Sequence, residues 1–116
     1  MSGLAAWLGT GAVWSAVLDK LPPDRYTVVH GQCLGVGVGG FVLGGGVNAV
    51  GSSARYGAGA EQVVEWRLVT AAGERVSVTQ EAVLLLGENG KWEELQPGDP
   101  RAGSDLWQGL RGAGAR

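Results

Sequence analysis

The chain is constrained first by Cys33-Leu-Gly-Val-Gly-Val-Gly-Gly-Phe-Val-Leu-Gly-Gly-Gly46, in which seven of 14 residues are glycine and none is charged. Each glycine gives up more backbone entropy on folding than any other residue, so a helix or a central strand loses stability here. Such a segment is wanted for its backbone. Glycine permits positive φ, bares N–H groups and lets another molecule come close. Those are the needs of a site for phosphate or a flat cofactor.

The rest of the composition narrows the classes. The 116 residues suffice for one small domain with a core. Nine basic and 11 acidic side chains give a net charge of −2, without the basic field that nucleic acid binding needs. One cysteine makes no internal disulfide, and one cysteine with one histidine makes no zinc site of the usual Cys/His type. Tyr26 to Ala54 carries no Asp, Glu, Lys or Arg, but its glycine density argues against a membrane span. Leu4 to Leu18 is apolar, yet no Lys or Arg precedes it and Gly9 and Gly11 interrupt it, so it is a poor signal peptide. Neither nucleic acid nor membrane is expected as a partner, and the compartment stays open.

Periodicity predicts a strand over Ala5–Gly11 and a helix over Ala12–Leu21, where Val13, Val17 and Leu21 share a face and Pro22-Pro23 ends the run. Tyr26–His30 reads as a strand. Val63–Thr70 and Arg75–Thr79 form a hairpin through Ala72-Gly73. Val83–Leu86 and Trp92–Leu95 form another around Asn89-Gly90. Gln96–Gly103 is a loop, and Ser104 is placed to cap a helix over Asp105–Leu110.

Gly35-Val-Gly37-Val-Gly-Gly40 satisfies G-x-G-x-x-G after a predicted strand, and Glu61 lies 21 residues beyond Gly40. That pattern belongs to dinucleotide-binding units, whose fingerprint opens a helix facing the pyrophosphate. Here Gly44-Gly45-Gly46 would break such a helix within about two turns. A glycine-rich turn without any ligand is the plainer alternative.

The longer pattern, Cys-x-x-Val-Gly-Val-Gly-Gly-Phe-x-x-Gly-Gly-Gly, resembles the FAD-binding domain of the vanillyl-alcohol oxidase and p-cresol methylhydroxylase (PCMH) superfamily, with the berberine-bridge-enzyme-like oxidoreductases nearest. Gly9-Thr-Gly-Ala-Val-Trp14 is similar to the family's G-A-G-x-x-W. Arg55-Tyr-Gly57 with Val63-Val64 is similar to its R-K-Y-G-x-x-x-D-N-V. Asp105-Leu-Trp-Gln-Gly-Leu-Arg-Gly112 is similar to its D-L-F-W-A-L-R-G. The departures are Leu34-Gly35 for the usual Pro-Thr and Glu61-Gln62 for the usual Asp-Asn.

The resemblance implies an α+β fold: the second subdomain of a PCMH-type FAD-binding domain, a mixed, mostly antiparallel sheet with flanking helices. Residues 1–116 would be a partial domain with an inserted loop or hairpin at 81–103. The family's first phosphate loop, with its flavin-linking histidine, is expected before residue 1, and the substrate-binding domain after Arg116. FAD is the implied cofactor and partner. The complete protein is expected to pass a hydride from a small organic or sugar-like substrate to FAD and then to O2, while this chain alone turns nothing over. A non-catalytic or decayed interaction domain that keeps the fold without flavin is the alternative.

By the same resemblance, Cys33 aligns with the cysteine joined to flavin C6 in bicovalent members, the other reading being an inert buried thiol. Val36 falls where members modulate oxygen access, or is a plain core valine. The backbones of Gly37, Gly39, Gly40, Gly44, Gly45 and Gly46 are expected to cradle the cofactor. Tyr56 and Gly57 would close the pocket, with Val63 near the adenine end. No catalytic residue is assigned. His30 reads as a strand-end residue, the five tryptophans as core or interface packing, and Glu93-Glu94 as a solvated turn flank.

Overall fold

The computed structural model describes residues 4–113. Four short strands, β1 (Trp66–Val69), β2 (Arg75–Val78), β3 (Val83–Leu86) and β4 (Trp92–Glu94), form one sheet in the order β1-β2-β3-β4. Every pairing is antiparallel, so the described sheet is a meander and not a mixed one. Alternation sets the register: Leu68 pairs with Val76 and Val78 with Val83, which puts the apolar residues of three strands on one face. The turns are chemically specified. Gly73 and Gly90 hold φ of +81° and +76°, which only glycine adopts without strain.

Helix α4 (Asp105–Gly109) closes that face. Val76, Val78, Val83 and Trp107 are buried together, with Leu106 and Leu110 half-buried against them. Ser104 makes no side-chain cap on α4. Its carbonyl instead accepts from the Gln108 amide at 2.9 Å.

The other half is helical. Helices α1 (Trp14–Leu18), α2 (Val38–Leu43) and α3 (Ser52–Tyr56) and a 3-10 turn (Gly59–Gln62) enclose Trp14, Val17, Val38, Val42 and Ala60. The Phe41 ring stands edge-on to Trp14, at 5.4 Å and 85°. Trp66 packs against both clusters and joins them. Burial of each such side chain is worth about 1.5–3 kcal/mol, so neither small cluster has much stability to lose.

The N-terminal third departs from the sequence-based expectation. The strands expected at Ala5–Gly11 and Tyr26–His30 do not form. Among the described residues no strand lies beside them, and the one bridge there joins Val13 to Gly37. β-propensity without a partner yields only extended chain. The helix expected over Ala12–Leu21 contracts to Trp14–Leu18, because Val13 is spent on that bridge and Lys20 and Leu21 close as single turns. Within the glycine segment, by contrast, α2 does form. It is six residues long and stops at Gly44, inside the two-turn limit that the glycine triplet sets.

Residues 81–103 hold β3, β4 and a 3-10 turn (Pro100–Ala102). The Asp99 carboxylate caps that turn by accepting from the Arg101 amide at 2.9 Å. The Arg101 guanidinium reaches both Asp99 and Glu74, which ties this loop to the β1–β2 turn. Among the described residues no helix is long and apolar enough to cross a membrane.

Candidate functional site

The glycine segment begins as a turn laid over the start of α1. The Leu34 carbonyl accepts from the Ser15 amide (2.9 Å) and the Val36 carbonyl from the Trp14 amide (3.2 Å). Two N–H groups that a helix start would leave unpaired are thereby satisfied. The backbone faces α1, and the side chains are left outside. Cys33 is exposed, not an inert buried thiol. Leu34 and Val36 are 46% and 37% exposed, so Val36 is not a core valine.

The next three glycines differ in what surrounds them. Gly37 is extended and precedes α2. The first two amides of α2 are taken by the N-terminal segment: Val38 donates to the Ala12 carbonyl at 2.8 Å and Gly39 to the Thr10 carbonyl at 3.2 Å. A Cβ on Gly39 would lie 2.7 Å from the Thr10 Cβ, so only glycine permits this crossing. Gly40, one residue on, is exposed, and a Cβ there would touch nothing.

The triplet repeats the contrast. Gly45 and Gly46 hold φ of +109° and +74°. Their carbonyls accept from the Ala60 amide (3.2 Å) and the Gly59 amide (2.7 Å). A Cβ on Gly46 would come within 2.9 Å of the Gly59 backbone, whereas one on Gly45 would meet open space. Gly44 is exposed at the end of α2. Gly112, from the C-terminal motif, is brought beside Gly45.

Tyr56 ends α3, 43% exposed, with the Arg55 guanidinium 5.3 Å from its ring. Glu61 and Gln62 fold back on the turn after it. The Glu61 carboxylate accepts from the Ala58 amide at 3.0 Å, and the Gln62 side-chain amide donates to the Tyr56 carbonyl at 2.5 Å. Gly57 (φ +84°) lies under that carboxylate. Val63 borders an open depression of about 260 Å³, shared with Glu61, Glu81, Trp107 and Arg111. No residue of 33–46 lines it, or the smaller one beside β3. Val63 also packs against the helical cluster that holds Val38 and Val42 of the glycine segment.

Several glycines of the segment stand open. An added Cβ at Gly35, Gly40 or Gly45 would meet no other part of the chain within 4 Å, its sequence neighbours aside. Gly35 precedes α2, Gly40 lies within it and Gly45 follows it, and the six residues of α2 rise about 9 Å. Gly39 and Gly46 are closed against the protein's own backbone and serve its packing.

Sequence reasoning did not find Asn48, which is 7% exposed. Its side-chain amide donates to the His30 carbonyl (2.7 Å), its Oδ1 accepts from the Val50 amide (2.9 Å), and its own amide donates to Ser53 Oγ (2.7 Å). It pins the chain leaving the glycine triplet to the chain entering the segment. A lone amide residue after Gly-Gly-Gly-Val was the available signal. The carbonyls of Thr10 and Ala12 had none, because any residue type supplies them. Among the described residues no three His, Cys, Asp or Glu side chains gather as metal ligands.

No protein-family profile matches the chain, and no solved structure does. Curated proteins do. An FAD-dependent monooxygenase of Cochliobolus heterostrophus is 34% identical over 112 residues, 97% of this chain and 17% of that protein. An FAD-linked oxidoreductase of Epichloe festucae var. lolii is 43% identical over 76 residues, 65% of this chain and 12% of that protein. An FAD-dependent monooxygenase of Fusarium proliferatum is 39% identical over 74 residues, 64% of this chain and 14% of that protein. The chain is thus homologous to part of FAD-dependent and FAD-linked oxidoreductases, and it spans only 12 to 17% of the length of these three relatives.

Proposed function

We propose that this chain is the FAD-binding portion of a flavin-dependent oxidoreductase of the PCMH, berberine-bridge-like type. The observation that carries the reading is the open space at Gly35, Gly40 and Gly45, read as one strip in the segment that the exposed Cys33 begins. The flavin-dependent relatives support it.

In this reading Gly37, Gly40, Gly44 and Gly45 let the ribityl and pyrophosphate groups come close to the main chain, with the Gly44 and Gly45 amides themselves donating to the Gly40 and Val42 carbonyls. Gly39 and Gly46 hold the strip in shape from beneath. Tyr56 and Gly57 border it, and Val63 lies toward the adenine. Cys33 and Val36 stand at the isoalloxazine end, where Cys33 is the candidate for a 6-S-cysteinyl bond and Val36 for control of oxygen approach. When bound, FAD supplies acceptance of a hydride from a small organic or sugar-like substrate and its delivery to O2. No described side chain is assigned as catalytic base, and the chain alone is expected to turn nothing over.

The test is uptake of FAD by the purified chain, followed by flavin absorbance after gel filtration. Retention of about one FAD per chain is expected, with loss of retention in Gly40→Val at unchanged circular dichroism. Folded protein that takes up no flavin would overturn the reading.

A further inference from the structure

Arg67 is exposed on the outer face of β1, opposite the core. Its guanidinium lies 4.1 Å from the Trp7 ring centroid and 5.5 Å from that of Trp92 on β4. Its Nε donates to Glu65 at 3.0 Å, and the same carboxylate oxygen accepts from Ser77 Oγ at 2.6 Å. Ser77 is opposite Arg67 in the ladder and is 3% exposed although it lies on the outer face. Those two hydrogen bonds, Ser77 first, lower the Glu65 pKa and keep the carboxylate charged. The cluster thus fixes the guanidinium plane, and Arg presents such a plane to an aromatic face better than Lys does.

Trp7 belongs to no strand or helix. It is 63% exposed, and its ring lies against Arg67 of the sheet. Three residues later the Thr10 carbonyl, and then the Ala12 carbonyl, accept the first two amides of α2. We infer that Arg67 is a positioning residue for the glycine-rich helix. It latches the strap of residues 4–12 onto the sheet through Trp7 and Trp92, and the strap holds the start of α2 in place. The importance of α2 rests on the proposed flavin reading, but the latch itself does not.

The experiment is amide hydrogen exchange in flavin-free protein, read at Val38 and Gly39 against Val76 and Val78 in β2. Trp7→Ala and Arg67→Met should each speed exchange at Val38 and Gly39 by about two- to five-fold, the worth of one exposed cation–π contact. Val76 and Val78 should keep the exchange rates of the parent, because local openings are independent of the sheet. The double variant should be little faster than either single one, and Arg67→Lys should recover part of the protection. Unchanged exchange at Val38 and Gly39 would overturn the latch. So would exchange that rises equally at all four amides, or single effects that multiply in the double variant. Flavin retention measured on the same samples separates the two ideas: a chain that never binds FAD defeats the proposed function and leaves the exchange result standing.

Discussion

Gly46 and Gly59 meet backbone to backbone: the Gly59 amide donates to the Gly46 carbonyl at 2.7 Å, and a Cβ on Gly46 would stand 2.9 Å from the Gly59 Cα. The contact seals the glycine triplet onto the 3-10 turn, which carries Ala60 into the core. It divides the glycines of the segment into those that close the fold and those that leave room above it.

This division predicts opposite outcomes for two substitutions of the same kind. Gly46→Ala combines a left-handed φ with a backbone clash and should cost about 2–4 kcal/mol. Gly40→Ala places a methyl in open space within a helix and should stabilise the flavin-free protein by about 0.5–1 kcal/mol. Denaturant melts of both variants check this. A Gly40→Ala variant that gains stability but holds FAD less tightly would locate the cofactor over Gly40.

Cys33 should react at once with a thiol reagent in flavin-free protein, since its side chain is exposed. Loading with FAD should block the reaction. If flavin remains attached after denaturation, Cys33→Ala should release it. Mass spectrometry of the intact chain decides both points.

Acid should loosen the loop that carries the Pro100–Ala102 turn. The Arg101 side chain, and then its amide, hold the Asp99 carboxyl down to about 2, well below its ordinary value. A carboxyl lowered in the folded state contributes stability above its unfolded pKa, roughly 3.9, and loses it as pH falls through the folded value. The advantage of the parent over Asp99→Asn in thermal melts should therefore be constant above about pH 5 and shrink between about pH 4 and 2. A constant difference across that window would contradict the assignment.

Trp107→Ala should cost about 3–5 kcal/mol, because Trp107 is the buried anchor of α4 on the sheet. Urea melts followed by far-ultraviolet circular dichroism measure the loss. A cost below about 1 kcal/mol would mean that α4 contributes little to the sheet cluster.

The sheet was the legible part of the fold. The strand Val83–Leu86 has the bounds expected from its sequence, but the two-residue turn expected of Asn89-Gly90 is a longer loop, closed by the Gly87 amide on the Lys91 carbonyl, in which only Gly90 has positive φ. Both signals are local. Residues 5–11 and 26–30 carried similar β-formers but form no ladder, because strand formation depends on a neighbour that composition does not announce. In the glycine segment the density of glycine was legible and its purpose was not. Gly39 and Gly40 are adjacent and identical in sequence, yet one is closed by Thr10 and the other faces open space. Only the crossing of a distant segment tells them apart. The same holds for Arg67, whose role depends on Trp7 sixty residues earlier in the chain.

Trp66 touches the helical cluster and the sheet cluster alike. Its indole is consequently a single optical reporter for both halves. Melting of either cluster must wet the same ring, so its emission shifts whichever half opens first. A change at that ring in two steps would mark a pair of small cores that share a wall, and a change in one step a single cooperative body.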